Sequence, residues 1–141
     1  MNWMLLPLKR YADFQGRSRR LEYWMFALLI FIAAIIWGVG FVAFAGLGGF
    51  AGREPSGLGL VWGLVGGLAY LAILVPAIAV QVRRFHDRDM SGWFVLLNFI
   101  PYVGGLIVFV FMVLPGTPGE NRFGLDPKDP DNVASMAEVF G

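Results

Sequence analysis

The sequence predicts an all-α polytopic membrane protein, and three observations carry that reading. Hydrophobic residues make up 57% of the 141 and charged residues only 15%, a mixture far from that of a soluble globular domain. The mean hydropathy of +0.66 agrees. No charged side chain occurs from Tyr23 to Gly52, from Ser56 to Val82 or from Met90 to Gly119, so three stretches approach or exceed the ~20 apolar residues that cross a ~30 Å hydrocarbon core. Inside lipid every backbone N–H and C=O needs an internal partner, and segments of this length find it as helices, not as ~10-residue barrel strands.

Residues 1–16 read as an amphipathic surface helix. At 100° per residue Trp3, Met4, Pro7, Leu8, Tyr11 and Phe14 gather on one side and Lys9, Arg10 and Asp13 on the other, with Leu6 the exception. Such a helix lies along the membrane interface or packs on the rest of the protein. It does not read as a cleaved signal, because its apolar run is short and the basic residues follow it. Arg17, Arg19 and Arg20 then lead through Glu22 into the aromatic pair Tyr23 and Trp24, where the first span (23–45) begins at headgroup level. A glycine-rich turn, Gly46 to Gly52, followed by Arg53, Glu54 and Pro55, separates it from the second span (58–82). Gly59, Gly63 and Gly67 form two overlapping GxxxG steps on that second helix, a pattern that lets a neighbouring backbone approach closely, in the same chain or another. Pro76 is expected to kink it.

The third segment, 91–114, has two readings. As one helix kinked at Pro101 it covers ~36 Å and crosses; as two arms of ~15 to 18 Å it makes a re-entrant hairpin. Residues 1–127 are read as one membrane domain. Residues 128–141 are a polar tail, with at most one short helix near Val133 to Phe140 and an end free to move. Lys9, Arg10, Arg17, Arg19 and Arg20 precede the first span, Arg53 alone lies between the first two, and Arg83, Arg84 and Arg88 follow the second. By the positive-inside rule the N-terminus and the polar island Gln81 to Trp93 are cytoplasmic, and the Arg53 loop is outside.

Several chemistries find no purchase here. The absence of Cys excludes disulfides, thiolate metal sites and Cys nucleophiles. His86 is the only His, so neither a metal nor another cofactor is expected. Ser91 near His86 and Asp87 resembles a triad only in composition. Gly116 to Gly124 lacks the GxxxxGK[ST] order of a phosphate loop and reads as a turn. Within the spans polarity comes from residues such as Gln81, Asn98 and the Tyr70 hydroxyl and from no charged side chain, which leaves a transporter without an ionisable pathway. The aromatic residues beside basic ones fit an interface belt, so no nucleic-acid surface is expected. Arg17, Arg19, Arg20, Arg83 and Arg84 can fork onto the phosphates of anionic lipids or simply set topology. Glu22, Asp87 and Asp89 compete for those arginines through ion pairs.

Three motifs stand in order along the chain. They are Phe14-Gln-Gly-Arg17-Ser-Arg19-Arg20-Leu-Glu22-Tyr23-Trp24, then Arg83-Arg84-Phe-His86-Asp87 with Ser91-Gly92-Trp93, then Gly116-Thr-Pro-Gly119-Glu120-Asn121-Arg122-Phe123-Gly124-Leu-Asp126-Pro127. Together they resemble the domain-of-unknown-function 805 family of small bacterial inner-membrane proteins, over Trp3 to Pro127. The chain departs from the family pattern at Phe85, Phe94 and Leu125. The resemblance implies a bacterial plasma (inner) membrane location and a multi-helix bundle, and brings no activity, substrate or cofactor. It also implies that the three motifs act jointly, which favours the re-entrant hairpin, since a dip returns the third motif to the side of the other two.

The expectation is therefore a non-enzymatic membrane interaction or lipid-headgroup-binding protein. Arg17, Arg19, Arg83, Arg84, His86, Asp87, Asn121, Arg122 and Asp126 would form one polar cluster at the cytoplasmic mouth, facing membrane lipids, another membrane protein or a second copy. Two alternatives stay open. One is a small oligomeric channel or transporter subunit assembled through Gly59, Gly63 and Gly67. The other is an enzyme on a membrane-bound substrate with His86 and Asp87 as acid and base.

Overall fold

The computed structural model describes residues 2–46, 54 and 56–140, without the side chains of Pro130 and Asn132, and its regular elements are all helical. In chain order they are α1 (Leu6–Lys9), α2 (Arg20–Ala45), α3 (Gly57–His86), a 3₁₀ helix (Gly92–Phe99), α4 (Gly104–Val113) and α5 (Pro130–Phe140). Most of the turn expected from Gly46 to Pro55, Arg53 included, lies outside the described residues. The chain divides into two compact units, one of Leu28–Leu74 and one of Met1–Ala27 with Val75–Gly141.

α2 and α3 have 26 and 30 residues, or ~39 and ~45 Å at 1.5 Å per residue, enough to cross ~30 Å of hydrocarbon. Their most apolar windows are only 6% and 17% buried inside the protein. A core helix of a soluble domain would be mostly covered, so these apolar faces are left for lipid. The helix ends follow from local chemistry. Glu22 sits in the first turn of α2, where a carboxylate complements the helix dipole. α2 stops at Gly46, whose φ of +73° turns its N–H back to Val42 O at 2.9 Å. Ser56 Oγ accepts from Gly59 N–H at 3.1 Å and caps α3, while its hydroxyl donates to Phe44 O. At the other end Arg83, Arg84 and His86 occupy the last turn of α3.

Within Leu28–Leu74 the two helices are joined by a reciprocal clasp. Trp37 Nε1 donates to Trp62 O at 3.3 Å, and Trp62 Nε1 donates to Trp37 O at 3.0 Å. Each indole needs a neighbour without a side chain. A Cβ on Gly66 would overlap the Trp37 ring, and one on Gly40 would meet Trp62 Cζ2 at 2.6 Å. Of the three glycines read as packing positions, Gly59 lies against the Ala45 backbone (2.7 Å from an added Cβ to Cα), Gly63 is in ordinary contact with Phe41, and Gly67 meets nothing within 4 Å.

In the other unit, the helix expected over 1–16 is a single α-helical turn, Leu6–Lys9, followed by turns. Backbone carbonyls of Arg10 and Asp13 are used instead as acceptors for Arg83. The segment 91–114 is two short helices, not one, because Ile100 before Pro101 is extended (φ −80°, ψ 114°) and Tyr102 is left-handed (φ 64°). Gly104 permits the sharp return, since a Cβ there would overlap Leu97 O. Phe85, Val108 and Met112 form a buried apolar cluster, with Tyr23, Met90, Val95, Leu97 and Phe111 packed around it. Asn98 Nδ2 donates to Gln81 Oε1 at 3.0 Å, pairing two polar side chains of these apolar stretches. The short helix expected near 133–140 begins three residues earlier, at Pro130.

Gly66→Ala should therefore lower stability by about 1–3 kcal/mol, the usual cost of overpacking. Gly67→Ala, with open space for its methyl, should change it by less than about 0.5 kcal/mol. Unfolding in mixed detergent micelles, followed by circular dichroism, checks both; equal effects would contradict the clasp.

Candidate functional site

Arg17 is the joint between the three motifs. It is 5% exposed and its guanidinium meets Asp87 Oδ1 through Nε at 3.1 Å and Nη2 at 3.0 Å. Its remaining donors reach Thr117 O at 2.6 Å, Gly119 O, and Gly124 O at 3.4 Å. Asp87, itself 1% exposed, accepts Arg84 on its other oxygen. Its backbone O takes the Thr117 N–H at 2.8 Å and hydroxyl at 3.0 Å. This close approach requires Gly116, because a Cβ there would overlap the Asp87 carboxylate.

Arg83 performs the same task for the first motif. It is fully buried and donates from Nε to Ser18 Oγ at 2.9 Å, from Nη2 to Glu22 Oε1 at 2.8 Å, and from Nη1 to the carbonyls of Arg10 and Asp13. Ser18 N–H answers by donating to Arg83 O at 3.1 Å. Glu22 Oε2 finds no hydrogen-bond partner among the described residues, so the buried carboxylate depends on Arg83 for its pairing. Arg84, also fully buried, donates to Asp87 and to Leu114 O at the end of α4.

The third motif is a tight turn. Asn121 and Gly124 exchange both backbone hydrogen bonds at 3.0 Å, and Asn121 Oδ1 accepts from Phe123 N–H at 2.9 Å. Gly124 supplies the required φ of +132°. Asn121 Nδ2 donates to His86 O at 2.9 Å, and Phe123 stacks on the His86 ring at 3.9 Å. His86 Nδ1 lies 3.1 Å from Gly16 O; a carbonyl can only accept, so Nδ1 carries the proton. Asp126 Oδ2 accepts the Gly119 N–H at 3.0 Å and Oδ1 the Lys128 N–H at 2.9 Å.

Seven of the nine cluster residues thus share one continuous set of contacts: Arg17, Arg83, Arg84, His86, Asp87, Asn121 and Asp126. Arg122 stands on its exposed rim, paired with Asp89 at 3.1 Å and 60% exposed. Arg19 is elsewhere, over the Trp3 ring at 5.1 Å. Sequence reasoning passed over Ser18 and Thr117, which look like ordinary small polar residues. Their placement inside the first and third motifs was the available signal. Nor does the sequence announce the contacts at the end of α5, where Lys9 Nζ donates to Phe140 O at 2.6 Å and Arg10 lies over the Phe140 ring. Among the described residues no group of three or more His, Asp or Glu is placed to hold a metal ion.

Burial works to raise the pKa of Asp126, but the N–H groups of Lys128 and Gly119 and the charges of Arg17 and Lys128 outweigh it and hold the carboxyl below the usual carboxylate range. A depressed carboxylate contributes stability that is present above its unfolded pKa and lost as pH falls through its folded one. Acid should therefore weaken the third motif below about pH 4. An acid titration of stability should be shallower for Asp126→Asn than for the parent, and superimposable curves would refute the assignment.

Comparison with known proteins finds relatives over most of the chain. The model of the family described as protein of unknown function (DUF805) matches residues 11–125. Inner membrane protein YhaH of Escherichia coli K12 is 45% identical over 129 residues, covering 91% of this chain and 98% of the relative. Inner membrane protein YhaI of the same strain is 40% identical over 129 residues, covering 91% and 97%. No solved structure matches. With the family model covering most of the chain and these relatives aligned nearly end to end, the chain belongs to the DUF805 family of inner-membrane proteins of unknown function.

Proposed function

We propose that this inner-membrane protein acts by binding, with no chemistry of its own, and that its binding surface faces anionic lipid headgroups on the cytoplasmic side. The observation that carries the reading is a division among the cations. Arg17, Arg83 and Arg84 are at most 5% exposed and spend their donors on Asp87, Glu22, Ser18 and backbone carbonyls. Arg20 and Lys128 remain exposed, and Arg19 partly so. The first group holds the motifs together; the second is available to a ligand. Catalysis draws no comparable support, because Asp87 is saturated by two guanidinium groups and His86 is pinned by Gly16 and Phe123.

In this reading the N-terminus and all three motifs are cytoplasmic, as the Lys/Arg distribution favours. The 3₁₀ helix and α4 form a re-entrant hairpin. At ~2.0 Å per residue the former covers ~16 Å and at ~1.5 Å the latter ~15 Å, so neither crosses alone. An oligomeric channel subunit has one point in its favour, the open approach at Gly67, while Gly59 and Gly66 are already occupied by Ala45 and Trp37 of the same chain.

Native mass spectrometry of the full chain released from mild detergent tests the binding reading. Phospholipid adducts should be enriched in phosphatidylglycerol and cardiolipin over phosphatidylethanolamine, relative to the membrane from which the protein is extracted. Adducts in membrane proportion would contradict it.

A further inference from the structure

We propose that a pocket of about 450 Å³ lined by Arg19, Arg20, Leu21, Trp24, Val113 and Lys128 binds the phosphate of an anionic phospholipid. This rests on the lipid-binding reading above and names the site that performs it. Three cations converge there from two distant parts of the sequence, and among the described residues no carboxylate lines the pocket. Their side chains are set without being used up. Arg19 is held over the Trp3 ring at 5.1 Å, a cation–π contact that leaves its charge without a carboxylate partner among the described ion pairs. Arg20 donates from Nη1 to Val113 O at 3.1 Å, one of five donors in its fork. Arg20 also opens α2, where the partial positive charge of the helix N-terminus adds to the field.

The other half of the lining is apolar, which decides between a lipid and a free phosphate. Leu21, Trp24 and Val113 complete the wall, and Trp24 is fixed edge-to-face against Tyr23 at 5.3 Å and Phe109 at 5.6 Å. A soluble phosphate gains nothing from such a wall, whereas the glycerol and first acyl carbons of a lipid do. The pocket also lies at the start of the apolar run of α2, the level at which headgroups meet Tyr and Trp belts. Its volume falls in the ~300–1,000 Å³ range of small-ligand sites. Forked donors on a phosphate, with a Lys as a point charge beside them, are the recognition chemistry expected of such a cradle.

The test uses the full chain in detergent, titrated with phosphatidylglycerol and phosphatidylcholine, beside the double variant Arg20→Gln/Lys128→Gln and the charge-keeping variant Arg20→Lys/Lys128→Arg. Both altered side chains are exposed, and unchanged circular dichroism and thermal midpoint verify the fold. The parent should prefer phosphatidylglycerol. The Gln pair should lose on the order of tenfold or more in that affinity, given ~1 kcal/mol per basic residue at an anionic surface. The charge-keeping pair should retain most of it, and glycerol 3-phosphate at equal concentration should not displace the lipid. A Gln pair that keeps the preference overturns this site and leaves the lipid-binding reading standing. A parent without preference defeats both. Displacement by equimolar glycerol 3-phosphate overturns the lipid assignment in favour of a soluble phosphate.

Discussion

A guanidinium taken out of water must find acceptors for its donors, and Arg17 is where that requirement shapes this chain. Its acceptors are drawn from Asp87, Thr117, Gly119 and Gly124, positions 70 to 107 residues away along the sequence. Lys in its place would keep the charge but not the planar fork that reaches a carboxylate and three carbonyls together. Removing it would leave Asp87 with only Arg84, and removing one partner from a buried pair typically costs about 3–5 kcal/mol. The geometry of the third motif follows from this constraint. Gly116 admits Asp87, Gly119 and Gly124 adopt positive φ, and their carbonyls turn towards Arg17.

The two spans were legible because a charge-free run longer than ~20 residues has few other uses. The break at Pro101 was legible for the same local reason, proline's effect on the residue before it. The choice between a kink and two separate helices was not, because it depends on Gly104 fitting over Leu97 O and on the left-handed Tyr102. The N-terminal segment misled because its periodicity suits a helix, while Arg83 takes two of its carbonyls as acceptors. The Trp37–Trp62 clasp was invisible as well: the GxxxG pattern drew attention to Gly63 and Gly67, yet the glycines under the indoles are Gly40 and Gly66. Local propensity does not report which side chain fills a given gap.

The candidate site was legible in composition and not in role. Arginines beside a membrane suggest phosphate recognition, and Glu22 and Asp87 in the same motifs suggest internal pairing; the sequence does not apportion one to the other. Burial apportions them. Arg17, Arg83 and Arg84 hold the polar unit together, while Arg20, in the same first motif, and Lys128, just beyond the third, stay exposed. A rigid internal network with an open cationic rim is suited to presenting a fixed surface to a fluid membrane, since little ordering cost then falls on binding.

The central claim is that all three motifs meet on one side of the membrane, joined through Arg17. Because the chain has no native Cys, a single Glu138→Cys gives an unambiguous probe of the exposed C-terminal helix, applied with a membrane-impermeant maleimide to spheroplasts and to lysed membranes. The account predicts protection in spheroplasts and labelling after lysis, with an N-terminal Asn2→Cys behaving identically. Labelling of Glu138→Cys alone in intact spheroplasts would place the tail across the membrane from the N-terminus and contradict the contact between Arg17 and the third motif.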